Sequence, residues 1–186
     1  MKYLRRIIWF FANRLLVACV ILGLIMTVFY YAMNLNNIQI ILKDGMASRA
    51  KVIMGISGSE AELSRYFQSA YLDTDAALAA ARQGTSPYAD YNVRGIDHRL
   101  EMGFLWLWPW ENTVRVTITE RVPRIDGRVK GLRADEVIAR DGANAVYPPD
   151  WPDATYRALL VREAGQWKIK SLVQENRNEA APIPTP

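Results

Sequence analysis

Apolar residues follow three different rhythms along this chain. From Leu15 to Met33 the sequence LLVACVILGLIMTVFYYAM contains no charged side chain. At 1.5 Å rise per residue such a helix covers about 28 Å, close to the hydrocarbon thickness of a bilayer, and predicts a transmembrane helix anchored by residues such as Leu15, Leu22, Ile25 and Phe29. Tyr30 and Tyr31 supply an aromatic belt at its far end. After a polar break at Asn34–Asn37, the residues Ile38, Ile41, Leu42, Met46, Ala50, Ile53 and Met54 recur at helical spacing, predicting a separate juxtamembrane helix over 34–56. Ser59 with Glu62 has the form of a capping box opening a helix from Glu60 to about Tyr71. Asp73-Thr74-Asp75 opens a short alanine-rich helix that ends at Gln83-Gly84.

The period then changes to two. Ile96, His98, Leu100 and Met102 alternate with Asp97, Arg99 and Glu101, which predicts a strand with one buried face, and the same even parity runs on through Phe104, Trp106, Trp108 and Trp110. Thr113 to Glu120 repeats the alternation with Val114, Val116 and Ile118 inward. Pro123 and Asp126-Gly127 predict a stop and a turn. Gly127 to Gly142 is polar, with one short strand expected around Val137 and Ile138. Tyr156–Arg162 and Trp167–Val173 predict a hairpin closed by Glu163-Ala164-Gly165-Gln166. The remaining residues, 174–186, have no core-forming pattern and are expected to be loose. Helices first and a strand meander afterwards define an α+β class, with residues 57–173 as one outer domain.

Charge adds topology to this picture. Lys2, Arg5, Arg6 and Arg14 precede the first acid, Asp44; without them the other 19 basic residues equal the 19 acidic ones, so the net charge of +4 belongs to the N-terminal tail, 1–14. Basic residues flanking one end of an apolar helix orient that end toward the cytoplasm. The expected location is therefore the cell membrane, crossed once, with the C-terminal domain outside. A neutral domain of mixed sign argues against a nucleic-acid partner. The apolar run is longer than a signal-peptide core, and Tyr-Tyr-Ala-Met-Asn is a poor cleavage site. Leu16-Val17-Ala18-Cys19 resembles a lipobox, but Arg14 interrupts the apolar stretch that should precede it, and more apolar residues follow where a polar tether belongs.

The terminal segment Tyr156 to Lys170, with Gly165, Trp167, Lys168 and Ile169, resembles the closing hairpin of the nuclear-transport-factor-two-like superfamily. That resemblance implies a cone-like domain of helices packed on a curved antiparallel sheet. Members with an N-terminal membrane helix include subunits of conjugation, type IV secretion, sporulation and other envelope assemblies. Enzymatic members, such as ketosteroid isomerase-like proteins, use the cone interior as an active site, and fold alone does not choose between these uses.

Candidate chemistry is sparse. His98, the one histidine, sits on the apolar face, where a nearby Asp90, Asp97 or Asp126 would make it a base or proton relay; the plainer reading is a hydrogen-bonded core side chain. One His and one Cys in the apolar run cannot supply a metal site, and no cofactor is expected. No phosphate loop, serine elbow or carboxylate dyad is present, which weighs against an enzyme. Three tryptophans at i, i+2 and i+4 suit a partner surface, an apolar pocket, a loop at the bilayer interface or plain core filling. The leading expectation is a non-enzymatic membrane scaffold that meets other envelope proteins or copies of itself through Trp108, Trp110 and Tyr156. The alternative is a tethered small-molecule-binding or isomerase-like domain with a pocket lined by His98, Trp106, Tyr88 and Tyr91.

Overall fold

A computed structural model describes residues 2–56, 60–108 and 110–175. Its first element is a single α-helix, α1 (Lys2–Ile53), of 52 residues. The polar break expected at Asn34–Asn37 does not occur, and the apolar run and the segment after it are one continuous rod about 78 Å long. The described residues contain one helix long and apolar enough to cross a membrane, with a mean hydropathy of 2.4 in its most apolar window. Its lower part is exposed around its whole circumference, while above residue 33 one stripe is buried: Asn34, Ile38, Leu42, Met46, Ala50 and Ile53. These positions are three or four apart, so they stack on one face and form the spine of the core. Residues 34–53 therefore belong to the domain itself. Gly55, at φ +68°, ends the rod: its N–H bonds Val52 O while Ile56 N–H bonds Lys51 O, a Schellman closure.

The helix expected over Glu60–Tyr71 is split into α2 (Glu60–Leu63) and α3 (Ser69–Thr74). The interruption has a cause in the sheet. Phe67, fully buried, lies as a parallel bridge beside Ile169, Ile169 N–H donates to Tyr66 O, and Gln68 N–H donates to Ile169 O. Covering part of a sheet edge in this way removes an aggregation-prone row of free amides. The alanine-rich helix α4 (Ala76–Arg82) forms as expected, its N-cap Asp75 accepting from Ala77 N and Leu78 N. The capping-box Ser59, Pro109 and residues 176–186 lie outside the described residues, as do the side chains of Lys2 and Arg5.

The sheet is an antiparallel meander of β1 (Tyr91–Met102), β2 (Thr113–Val129), β3 (Ala154–Glu163) and β4 (Gln166–Glu175), in the order β1-β2-β3-β4. The closing hairpin is the predicted one, with Ala164 at φ 48° and Gly165 at φ 81°, the pair of positive angles that a two-residue turn of the right twist needs. Trp167 and Ile169 are buried beneath it.

Two register shifts, at Val93/Gly95 and Asp97/Arg99, mark bulges in the β1–β2 ladder. The second leaves Val122 and Pro123 facing His98 alone. Pro123 is thus accommodated without a ladder donor, and β2 runs on to Val129 where a stop and a turn were expected. Gly127 is packed rather than turning: a Cβ there would stand 3.0 Å from Asn92 O, Val93 Cα and Pro148 Cγ.

The strand expected at Val137–Ile138 is instead a helix, α5 (Ala134–Asp141). Asp135 and Glu136 in its first turn and Arg140 in its last complement the helix dipole, and Val137 is its buried anchor.

Candidate functional site

Strict alternation along β2 places Val114, Val116, Ile118, Glu120 and Val122 on the buried face. Glu120 is thereby carried into the core, where its side chain is wholly inaccessible. The bulge at Val122 and Pro123 brings His98 to the same level, and His98 Nε2 lies 2.9 Å from Glu120 Oε1. The partner is therefore Glu120 and none of the three aspartates suggested by sequence. Neither His98 Nδ1 nor Glu120 Oε2 has a hydrogen-bond partner among the described residues. A carboxylate that orients an imidazole and leaves the second nitrogen free is an arrangement able to take up or pass on a proton.

A second buried pair lies nearby. Arg49 falls on the buried stripe of α1, seven residues after Leu42 and three after Met46. Its Nε donates to Asp75 Oδ2 at 2.6 Å and its Nη2 to Asp75 Oδ1 at 3.1 Å. Tyr71 Oη donates to Asp75 Oδ2 at 2.9 Å. Asp75 thus caps α4 and ties that helix to α1 with the same carboxylate.

Burial alone opposes the charge on both members of this pair. The Arg49 guanidinium, through its hydrogen bond and its charge, nevertheless holds the Asp75 carboxyl below its ordinary value; Arg49 is raised in turn by its bond to Asp75 and by the charges of Asp75 and Glu120. Burial and the neighbouring Asp75 push the Tyr71 phenol up against the opposing pull of Arg49. Tyr156 on β3 is raised chiefly by burial and then by Glu120. The Glu120 and Arg49 charges thus act on common neighbours, and the interior holds one polar cluster of Arg49, Tyr71, Asp75, His98, Glu120 and Tyr156.

Two predictions follow from this geometry. Because the Asp75 carboxyl titrates below its unfolded value near 4, its contribution to stability is present above that pH and is lost as pH falls through the lowered folded value. Acid unfolding of the full chain, followed by near-ultraviolet circular dichroism, should begin at higher pH in Asp75→Asn. For the other pair, Glu120→Leu strands His98 and should cost about 1–3 kcal/mol, whereas the double change His98→Leu with Glu120→Leu removes both partners and should recover most of that loss. Denaturant titration of these two variants beside wild type reads the difference directly.

The other sequence candidates are dispersed. Tyr88 is buried, stacks on Trp151 with ring centres 6.0 Å apart and donates to Asp150 O at 3.4 Å. Burial and the Asp150 charge raise its phenol to about 12. Tyr91, at the start of β1, is also buried, and burial raises its phenol. Trp106 packs on Tyr31 of α1 and on Trp108. His98 packs on Glu120. The pocket expected from these four residues is thus spread over three neighbourhoods. Tyr156 is half-buried against the polar cluster.

The tryptophan segment also departs from its expected parity. The chain leaves the ladder at Gly103, whose N–H makes a last bond to Thr117 O at 2.9 Å, and beyond it the odd residues Leu105 and Leu107 turn inward. Phe104, Trp106, Trp108 and Trp110 remain exposed.

At the same end of the sheet, the base of the domain is locked onto α1. Asn34 Oδ1 accepts from Arg162 Nη2 and, at 3.2 Å, from Trp167 Nε1; Asn34 Nδ2 donates to Tyr30 O at 2.9 Å. Arg162 Nη1 donates to Tyr30 Oη at 2.8 Å, and its guanidinium lies over the Trp167 ring at 4.9 Å. Tyr31 Oη donates to Leu105 O at 2.7 Å. Comparison of the chain with protein families, with curated proteins and with solved structures finds no match.

Proposed function

We propose that the chain is a single-pass membrane protein, uncut, with its basic N-terminus in the cytoplasm and its α+β domain outside, and that it serves as a non-enzymatic assembly subunit. The observation that carries this reading is the continuity of α1: the helix that leaves the apolar run is also the central core helix of the domain. Cleavage behind Tyr31 would take away the acceptor of Arg162 Nη1 and the donor to Leu105 O, which supports an uncut anchor. A rigid helix that enters its own domain fixes the domain's height and orientation at the membrane. Scaffolds need this, and a freely tethered enzyme does not.

The cone-like architecture, and with it an envelope machine of the conjugation, secretion or sporulation type, is supported by the element order and by the closing Gly165–Ile169 hairpin. Partners are other envelope proteins or further copies of this chain, met on the part of the domain away from the anchor. Exposed apolar side chains there include Leu132 and Tyr147 on the segment around α5, and Val173 on β4. A photo-crosslinking residue placed at each of these positions in intact cells is expected to give adducts heavier than the monomer. Monomer alone at all three positions would sink the reading.

A second reading, a small-molecule or isomerase-like site, is favoured by one observation, the free polar atoms of His98 and Glu120. Their side chains are 5% and 0% accessible, so a ligand reaches them only if the domain opens. Chemical-shift or fluorescence changes that disappear in the His98→Leu, Glu120→Leu double variant would favour this reading over the first.

A further inference from the structure

We propose that the aromatic side chains of Phe104, Trp106, Trp108 and Trp110, which follow β1, form a second membrane contact, inserting into the outer interface of the bilayer that α1 crosses. The proposal rests on the single-span reading above, and its occupant is lipid. Phe104 is 87% exposed, Trp106 57%, Trp108 44% and Trp110 73%. Residues 103–110, GFLWLWPW, contain no charge. Four large aromatics in eight residues left open to water are unusual on a soluble surface, whereas Trp is enriched where hydrocarbon meets headgroups because its ring is apolar and its N–H still finds a polar partner.

Position distinguishes lipid from other occupants. Tyr31 is near the outer end of the Leu15–Met33 run, and the loop is fastened to it: Tyr31 Oη donates to Leu105 O, and the Trp106 ring lies 5.5 Å from the Tyr31 ring. Trp108 continues from Trp106 at 5.5 Å, and Trp110 from Trp108 at 5.2 Å, so the aromatic surface is continuous with the outer end of the span. Leu105 and Leu107 are buried and pin the loop to the domain, so the rings are held in place. At the same level, Arg162 brings a guanidinium beside Tyr30 and Trp167, and its buried Nε has no partner among the described residues. An aromatic loop and an aromatic-basic cluster at one level of the helix are the composition of an interfacial belt. The domain then rests on the membrane by two contacts, its helix and this loop.

The full chain carrying Cys19→Ser, reconstituted in phosphatidylcholine vesicles, tests the proposal by nitroxide labels placed singly through Phe104→Cys, Trp110→Cys, Ile25→Cys and Leu132→Cys. Accessibility to oxygen, which concentrates in lipid, is compared with accessibility to a water-soluble nickel chelate. Labels at 104 and 110 are expected to meet nickel about tenfold less than the label at 132 while remaining open to oxygen. Nickel access at 104 and 110 equal to that at 132, with 25 still protected, overturns the loop contact and leaves the span intact. Access at 25 as well overturns the span and the proposal with it. Protection of 104 and 110 from both reagents means that protein covers the loop, a second copy or a partner, and also overturns the proposal. The native side chains give a label-free check: in vesicles of dibrominated phosphatidylcholine, Trp108→Phe with Trp110→Phe should remove about half of the lipid-quenched tryptophan emission, and an unchanged quenched fraction counts against the proposal.

Discussion

Replacing Arg49 with Ala is expected to destabilise the domain by about 3–5 kcal/mol, because it strands the Asp75 carboxylate where only 4% of that side chain is accessible. Asp75 keeps Tyr71 Oη and the amides of Ala77 and Leu78, but loses both guanidinium bonds and the counter-charge. A buried pair owes little net stability to its attraction, since desolvating two charges costs nearly as much as their interaction returns; removing one partner leaves the whole cost of the other. Arg49→Lys retains charge without the two-pronged geometry and should fall between wild type and Ala. Denaturant unfolding of the full chain in detergent, read at the tryptophans, measures the series. A loss below about 1 kcal/mol in Arg49→Ala would mean that Asp75 finds water or another cation.

Asn34→Leu should be the second costly change, at about 3 kcal/mol, although it makes the chain more apolar at a buried position. Asn34 is 2% exposed, and its carbonyl oxygen accepts from both Arg162 and Trp167 Nε1. Leucine fills similar space and leaves an indole N–H and a guanidinium N–H without an acceptor at the base of the domain. The loss concerns the joint between the apolar helix segment and the domain, so it should be accompanied by faster proteolysis of the linked segment. Asn34→Asp keeps an acceptor and should preserve the joint. Limited proteolysis beside equilibrium unfolding separates these outcomes, and an Asn34→Leu protein as stable and resistant as wild type would show that the joint contributes nothing.

Both residues escaped the sequence, while other features did not. The apolar run, the Asp75-capped helix, the inward alternation of Val114, Val116 and Ile118, and the hairpin through Gly165 were all legible, because each is written in local periodicity or in a turn residue with a fixed conformational role. Asn34 read as a break because Asn is a poor helix former, yet a buried partner at long range overrides propensity. Arg49 and Glu120 were missed although each sat on its element's apolar stripe. The spacing after Leu42 and Met46 and the parity after Ile118 were the available signals. Pro123 and Gly127 read as punctuation, but a bulge absorbed the first and close packing required the second. The parity of the tryptophans reversed because the chain leaves the ladder at Gly103, and alternation carries no information once pairing ends.

The central claim is that one unbroken helix joins the apolar run to the core. The distance between nitroxides at Val20→Cys and Lys51→Cys, measured by pulsed dipolar spectroscopy on the full chain carrying Cys19→Ser in lipid nanodiscs, tests it most directly. Both positions are exposed on α1, and a continuous helix places their backbones about 46 Å apart with a single narrow distribution. A distribution that is broad or centred well below that separation would place a hinge between them and contradict the account.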